Sequence, residues 1–288
     1  MAVSRVGGLS PEVLDVWVHD AGSRFPVLSD LPAAVRERFE VREADVAWVL
    51  NPHGAVWRLG LIGGDVVFIK LLAVGQYPTL ADERDRLLWA VDRLPVARVL
   101  DYGADGSREW LALSAVPGRD ATQSDHIDDP ATTVPILARG LRRFHDTPIA
   151  DCAFDFRLDA ALDHARRRVD GEAVPASTGA DFHDEHLHLS PRAALQRLIA
   201  TRPASEDVVL CHGDYCFPNV LIDAGRITGY LDLGEMGVAD RWWDLAVATW
   251  SCDWNVGPGW QDLFLDCYGI ERDDDRIAFY RLLYDLVS

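Results

Sequence analysis

His212, Gly213, Asp214 and Asn219 lie on one short stretch, CHGDYCFPNVLID from Cys211, and Asp232 opens an Asp-Leu-Gly triplet 13 residues after Asn219. A carboxylate that can face an attacking hydroxyl, followed by an amide and a second carboxylate that can hold a divalent cation, is the residue set that phosphoryl transfer requires. Asp214 is expected to orient an acceptor hydroxyl and take its proton. Because the transition state of such a transfer is loose, positioning and charge screening matter more than base strength. Asn219 and Asp232 offer the hard oxygen ligands that magnesium prefers. Four fixed letters at this spacing would arise by chance in roughly two of every thousand chains of this length, so the pattern is informative.

The order H-G-D-x-x-x-x-N and then D-L-G keeps the spacing of the kinase catalytic loop, H-R-D-x-x-x-x-N and then D-F-G. Residues 208–210 and 220–222 are β-type runs that flank the loop. His212 is expected to anchor the loop by hydrogen bonding. Asp240 and Asp244 are expected to tie it to the next helix, with Asp244 as an acid in the first turn. Upstream, Lys70 ends an expected strand over residues 65–69, and Glu83 falls inside the following helix. Kinases bind the α and β phosphates with a strand lysine and fix that lysine with a helix glutamate. Asp82 and Asp85 are neighbours of Glu83 but point away from it on the helix, so only one face can meet Lys70. The segment NPHGAVW from Asn51 sits where a phosphate-covering loop should lie, although it has a single glycine.

These residues need elements to hold them. Apolar alternation predicts strands over 46–50, 55–62 and 65–72, separated by Asn-Pro-His-Gly and Gly-Gly turns. A helix follows over 79–94, where Thr79 and Asp82 can cap each other. ARVLDYG and EWLALSAV add two strands, and Pro117-Gly118 breaks the chain after them. Ser114 and Val116 flank the candidate hinge and are expected to contact a cofactor there. Beyond the hinge the pattern is mostly helical, apart from the two strands flanking the catalytic loop and one over 227–231. A last helix spans 276–286. The expected fold is α+β and bilobal. Residues 1–115 form a small antiparallel-sheet lobe, including an extension over 1–45 with a short helix near 31–39, and residues 116–288 form a mostly helical lobe.

The chain of 288 residues is long enough for two cores, and its 49% hydrophobic content fits a folded protein. Lys and Arg total 28 against 46 Asp and Glu, a net charge of -18. Such a surface disfavours nucleic acid and anionic membranes and favours cationic partners. The five cysteines show no CxxC pair, which argues against a disulfide framework or a zinc ribbon. The N-terminus lacks the apolar core of a signal peptide, and no run is long enough to cross a membrane, so a cytoplasmic location is expected.

ADFHDEHLHLS, from Ala180, groups Asp181, Asp184 and Glu185 with three histidines. The histidines lack the i, i+4 pairing of H-E-x-x-H. The segment reads as a solvated acidic turn or as a flap presenting carboxylates to a cationic ligand. The flap is preferred, because a basic run and a Pro/Ser/Gly-containing loop precede it.

These motifs, with LADERDRLLW around Glu83, VPGRD after the hinge, LRRFHDTPIADCAFDFRL, GVADRWWDLA and RIAFYRLL, resemble the aminoglycoside phosphotransferases, most closely the branch that modifies a 3'-hydroxyl. The resemblance runs from about residue 46 to the C-terminus. It implies a protein-kinase-like fold, ATP or GTP with Mg2+, and transfer of the γ-phosphate to a cationic antibiotic. It also implies nucleotide roles for Lys70 and Glu83, a catalytic role for Asp214, and metal roles for Asn219 and Asp232. Asp181, Asp184, Glu185, Glu235 and Asp285 are then expected to line the acceptor pocket. Glu235 stands where the family often has Arg, and Trp250-Ser251 where it has an Arg-led pair. The chain ends Tyr284-Asp285-Leu286-Val287-Ser288 in place of an acidic pair and Phe. A monomer or weak dimer is expected. The alternatives are a kinase for another hydroxylated small molecule, such as a nucleoside, peptide or macrolide, and a nucleotide-binding pseudokinase.

Overall fold

Five strands build the first part of the computed structural model: β1 (Val41–Leu50), β2 (Gly54–Leu61), β3 (Val66–Ala73), β4 (Val99–Ala104) and β5 (Arg108–Ser114). The structure describes residues 28–50, 54–173, 176–180 and 182–288. The strands form one antiparallel sheet in the order β1-β2-β3-β5-β4. Alternate residues of a strand share a face, so Trp57 and Leu59 meet Val67, Ile69 and Leu71 on one side, with Trp110 and Ala112 beside them. Leu31 and Val35, the latter on the short helix α1 (Ala33–Arg38), complete that core. Arg108 donates to the Asp30 carbonyl at 2.6 Å and ties this cover to β5. The later part of the expected extension thus covers a sheet face, and β1 begins at Val41, ahead of the expected 46.

Lys70 differs from its expected place at a strand end. β3 continues to Ala73, and Lys70 lies mid-strand, in register with Val56 on β2 and Leu111 on β5. It therefore points to the face opposite Ile69 and Leu71. Helix α2 (Leu80–Ala90) starts with a reciprocal cap: Thr79 Oγ1 accepts from the Asp82 amide, and the Asp82 carboxylate accepts from the Thr79 amide and hydroxyl. Asn51, Pro52 and His53 of the expected phosphate-covering loop lie outside the described residues, and Gly54–Leu61 is strand β2.

The chain divides into two compact units, Met1–Arg84 with Ala97–Ala115 and Asp85–Val96 with Val116–Ser288. Residues 85–96 thus group with the second unit, where Arg86 donates to the Met236 carbonyl at 2.7 Å and Arg93 pairs with Asp151 at 2.5 Å. That unit holds helices α3 (Ser124–Ile127), α4 (Pro130–His145), α5 (Leu158–Asp170), α6 (Pro191–Ala200), α7 (Trp242–Val256), α8 (Gln261–Tyr268) and α9 (Asp274–Val287). Asp129, Ser190 and Asp273 cap α4, α6 and α9 by accepting from backbone amides of the first turn. Two small sheets carry the loops: β6 (Arg119–Asp120), β8 (Val220–Asp223) and β9 (Arg226–Tyr230) form one, and β7 (Val208–Cys211) pairs with β10 (Gly237–Asp240) in the other. β6, of two residues, is too short to show an alternation in the sequence. Among the described residues, no helix is long and apolar enough to cross a membrane.

Candidate functional site

The loop from His212 to Asn219 is held at nearly every residue. Asp244, in the first turn of α7, accepts from the His212 amide at 2.6 Å and from the Gly213 amide at 2.9 Å. The Trp243 indole donates to the Gly213 carbonyl at 2.7 Å, and the Phe217 amide donates to Ser251 Oγ at 2.8 Å. Gly213 has φ +93°, and a Cβ there would lie 2.6 Å from both the Cβ and the carbonyl oxygen of Glu235. Only glycine fits that combination of left-handed backbone and close approach. His212 is fully buried, its Nδ1 accepts from the Asp214 amide at 3.3 Å, and burial holds its imidazole below the ordinary pKa. It is a loop anchor, as its sequence context suggests.

Asp214 carries its carboxylate between two donors. Asn219 Nδ2 donates to Oδ2 at 2.8 Å, and the Tyr284 hydroxyl donates to Oδ1 at 3.0 Å. Burial pushes the Asp214 carboxyl up, and the nearby charge of Asp232 adds to that shift. Asn219 Nδ2 also donates to the Asp214 carbonyl at 3.1 Å, so the amide nitrogen is committed to Asp214 and Oδ1 is left for another ligand. Asp232 is exposed and sits at φ 56°, ψ 56°, a left-handed turn that a short polar side chain tolerates. An amide oxygen and an exposed carboxylate, next to a second carboxylate whose charge repels the first, are a donor set that suits a hard dication.

In the first unit, Lys70 Nζ meets Glu83 Oε2 at 2.6 Å, with both side chains about nine-tenths buried or more. Of the three neighbouring acids on the helix, Glu83 pairs with Lys70. Ser114 closes β5, where its Oγ accepts from the Arg98 amide at 2.9 Å. Val116, the first residue of the second unit's longer segment, packs against Gly229, whose missing Cβ would lie 2.6 Å from it.

The carboxylates expected at the acceptor have protein partners. Asp285 accepts from the His183 amide at 3.2 Å, from His183 Nδ1, and from His186 Nδ1 at 2.5 Å. Burial alone would raise its pKa, and the two imidazoles outweigh that and hold it below the ordinary range. Glu185 accepts from the Trp250 indole and pairs with Arg281 at 3.3 Å. Glu235 is buried against the chain terminus, with the Ser288 hydroxyl 2.9 and 3.1 Å from its two oxygens, and Arg168 binds the Ser288 carbonyl oxygen at 2.5 Å. Burial, with the charge of Asp214 adding to it, pushes Glu235 up to about 8. Asp184 is exposed on the same segment as Glu185, and Asp181 lies outside the described residues. Asp285 and Glu235 therefore each engage protein partners through their carboxylate oxygens. Tyr284 is the residue that the spacing of motifs misses, since its hydroxyl reaches Asp214 from 70 positions away.

His145, Cys211 and Asp244 lie close enough together to suggest a metal site. Both imidazole nitrogens of His145 are already engaged, with Tyr268 at 2.7 Å and Asp244 at 2.9 Å. Burial pushes the Cys211 thiol well above its ordinary value, which keeps it protonated. The cluster is a hydrogen-bonded knot that braces Asp244 beneath the loop.

Comparison with known proteins agrees with this geometry. Residues 53–280 match the model of the phosphotransferase enzyme family. The chain is 40% identical over 213 residues to an aminoglycoside 3'-phosphotransferase of Streptomyces fradiae, covering 71% of this chain and 78% of the relative. The solved structure of an aminoglycoside-3'-phosphotransferase of type VIII matches with a TM-score of 0.78 at 33% identity, over 90% of this chain and 98% of that one. APH(3'')-Id of Streptomyces rimosus, solved with ADP and streptomycin, matches with a TM-score of 0.68 at 30% identity, over 81% and 90% of the two chains. The α+β, protein-kinase-like fold expected from the motifs is the fold of these neighbours. With a family model spanning most of its length and the Asp214–Asn219–Asp232 set in place, this chain belongs to the phosphotransferase enzyme family.

Proposed function

We propose that this protein transfers the γ-phosphoryl group of ATP to the 3'-hydroxyl of an aminoglycoside and so confers resistance to that antibiotic. The observation that carries the reading is the Asp214 carboxylate, held on both oxygens by neutral donors in a chain whose relatives are named for this activity. Asp214 aligns the acceptor hydroxyl and accepts its proton as the oxygen bonds to the γ-phosphorus. The bond from that phosphorus to the β,γ-bridging oxygen breaks, and ADP leaves. Lys70, fixed by Glu83, takes the α and β phosphates, with Ser114 and Val116 as further nucleotide contacts. Asn219 Oδ1 and Asp232 would hold Mg2+, which when bound screens the phosphate charge. Asp184 meets an ammonium group of the acceptor, while Glu185, Asp285 and Glu235 act from behind by holding Trp250, His183, His186 and Ser288.

The test is direct. Purified protein with ATP and Mg2+ is offered kanamycin, neomycin, streptomycin and an uncharged nucleoside antibiotic, and products are read by mass spectrometry and phosphorus NMR. One phosphoryl group on the 3'-oxygen of kanamycin or neomycin is expected. Phosphorylation of the nucleoside alone would replace this reading with that of a kinase for another hydroxylated small molecule.

A further inference from the structure

A row of aromatic rings leads from Asp214 to solvent. Tyr284, whose hydroxyl sits on Asp214, has its ring centroid 6.1 Å from that of His183 and 6.3 Å from that of Trp250. His183 lies 4.2 Å from Trp250 and is stacked on Trp254 at 4.7 Å with 9° between the planes. Trp250 and Trp254, four residues apart on α7, stack on each other at 5.4 Å. Trp250 is buried, whereas Trp254 is 51% exposed. Trp254 is thus the exposed end of a row of rings whose inner end, Tyr284, donates to Asp214.

The rings are also held in place. His183 is fixed by Asp285 through its backbone amide and its Nδ1. Trp250 donates to Glu185, and the Arg281 guanidinium lies 5.0 Å over its face. A platform fixed in advance loses little freedom when a ligand settles on it. The carboxylates that could compete for the ligand are largely satisfied internally, because Asp285 faces two imidazoles, Glu185 faces Trp250 and Arg281, and Glu235 is protonated against Ser288.

We infer that the acceptor is selected by stacking on the Trp254–His183 platform, so that Trp254 is a specificity-determining residue for the reaction proposed above, on which this inference rests. The ligand chemistry that fits is a saturated amino-sugar or aminocyclitol ring next to the phosphorylated one. Its C–H face meets the negative face of the indole, and an ammonium substituent gains a cation–π contact. Charge pairing with Asp184 is the weaker contribution.

The experiment compares full-length Trp254→Ala, Trp254→Phe and Asp184→Asn with the wild type, measuring KM and kcat for kanamycin and KM for ATP. Trp254→Ala should raise the acceptor KM about tenfold, leave the ATP KM unchanged, and exceed the effect of Asp184→Asn. Trp254→Phe should restore most of the loss, which a change in folding alone would not produce. Titration of indole fluorescence with kanamycin reads the same contact without turnover, and the quenching should be largely lost in Trp254→Phe. An unchanged acceptor KM in Trp254→Ala, or a larger effect of Asp184→Asn, overturns the inference. A wild type that binds kanamycin with Trp254-dependent quenching yet transfers no phosphate sinks the phosphotransferase reading and leaves the platform standing. Absence of both quenching and transfer removes both.

Discussion

The Tyr284 hydroxyl donates to Asp214 Oδ1 at 3.0 Å, while Asn219 fixes the other oxygen at 2.8 Å. Burial pushes the Tyr284 phenol well above its ordinary pKa, so it remains a donor throughout the neutral range. Tyr284→Phe keeps the ring against His183 and Trp250 and removes only this hydrogen bond. A hydrogen bond to a charged group contributes about 1.5–3 kcal/mol, so kcat should fall by about tenfold or more with the ATP KM unchanged. Steady-state kinetics beside a thermal melt would check this, and an unaltered kcat would remove Tyr284 from the positioning of Asp214.

Lys70 and Glu83 form a buried pair at 2.6 Å. Removing one member of such a pair leaves a charge buried without its partner, at a cost of about 3–5 kcal/mol. Glu83→Ala should therefore lower stability by that order in a urea melt and raise the ATP KM as well. Lys70→Met should raise the ATP KM and lower stability by a similar order, because it leaves the Glu83 carboxylate buried without its partner. Small stability changes in the two variants would show that the pair is not buried as described.

Glu235 gives a pH dependence whose sign follows from its raised pKa. Between its ordinary 4.5 and about 8, the folded protein binds a proton there that the unfolded chain does not. Stability from this site is therefore full below pH 4.5 and is lost as pH rises through about 8. Glu235→Gln keeps a hydrogen-bonding partner for Ser288 and removes the titration. The melting temperature of the wild type relative to Glu235→Gln should fall from about pH 5 to about pH 9. A flat difference would mean that Glu235 is ionised at neutral pH.

The loop from His212 to Asn219 was legible because its motif is local. Asp214, Asn219 and Asp232 are set by spacing within a short loop and a following turn, and the flanking β-type runs announce the strands. Helix geometry showed that Asp82, Glu83 and Asp85 could not all meet Lys70, and the motif position singled out Glu83. The acceptor side was not. His183 and His186 reach Asp285 across 102 and 99 residues, Ser288 reaches Glu235 across 53, and Trp250 reaches Glu185 across 65. Contacts of that span leave no periodicity, so the partners of these acids do not show in the sequence. Nothing in the run from Leu31 to Val35 predicts that it covers a sheet face, because a single helical turn is too short to reveal its apolar side.

The central claim is that Asp214 aligns and deprotonates the acceptor hydroxyl while other residues hold the nucleotide. The measurement that tests it most directly is kanamycin phosphorylation by Asp214→Asn beside wild type, with ATP binding measured on the same samples. The account predicts a loss of roughly 10²-fold or more in kcat with ATP affinity largely retained. Near wild-type kcat in the variant would contradict it.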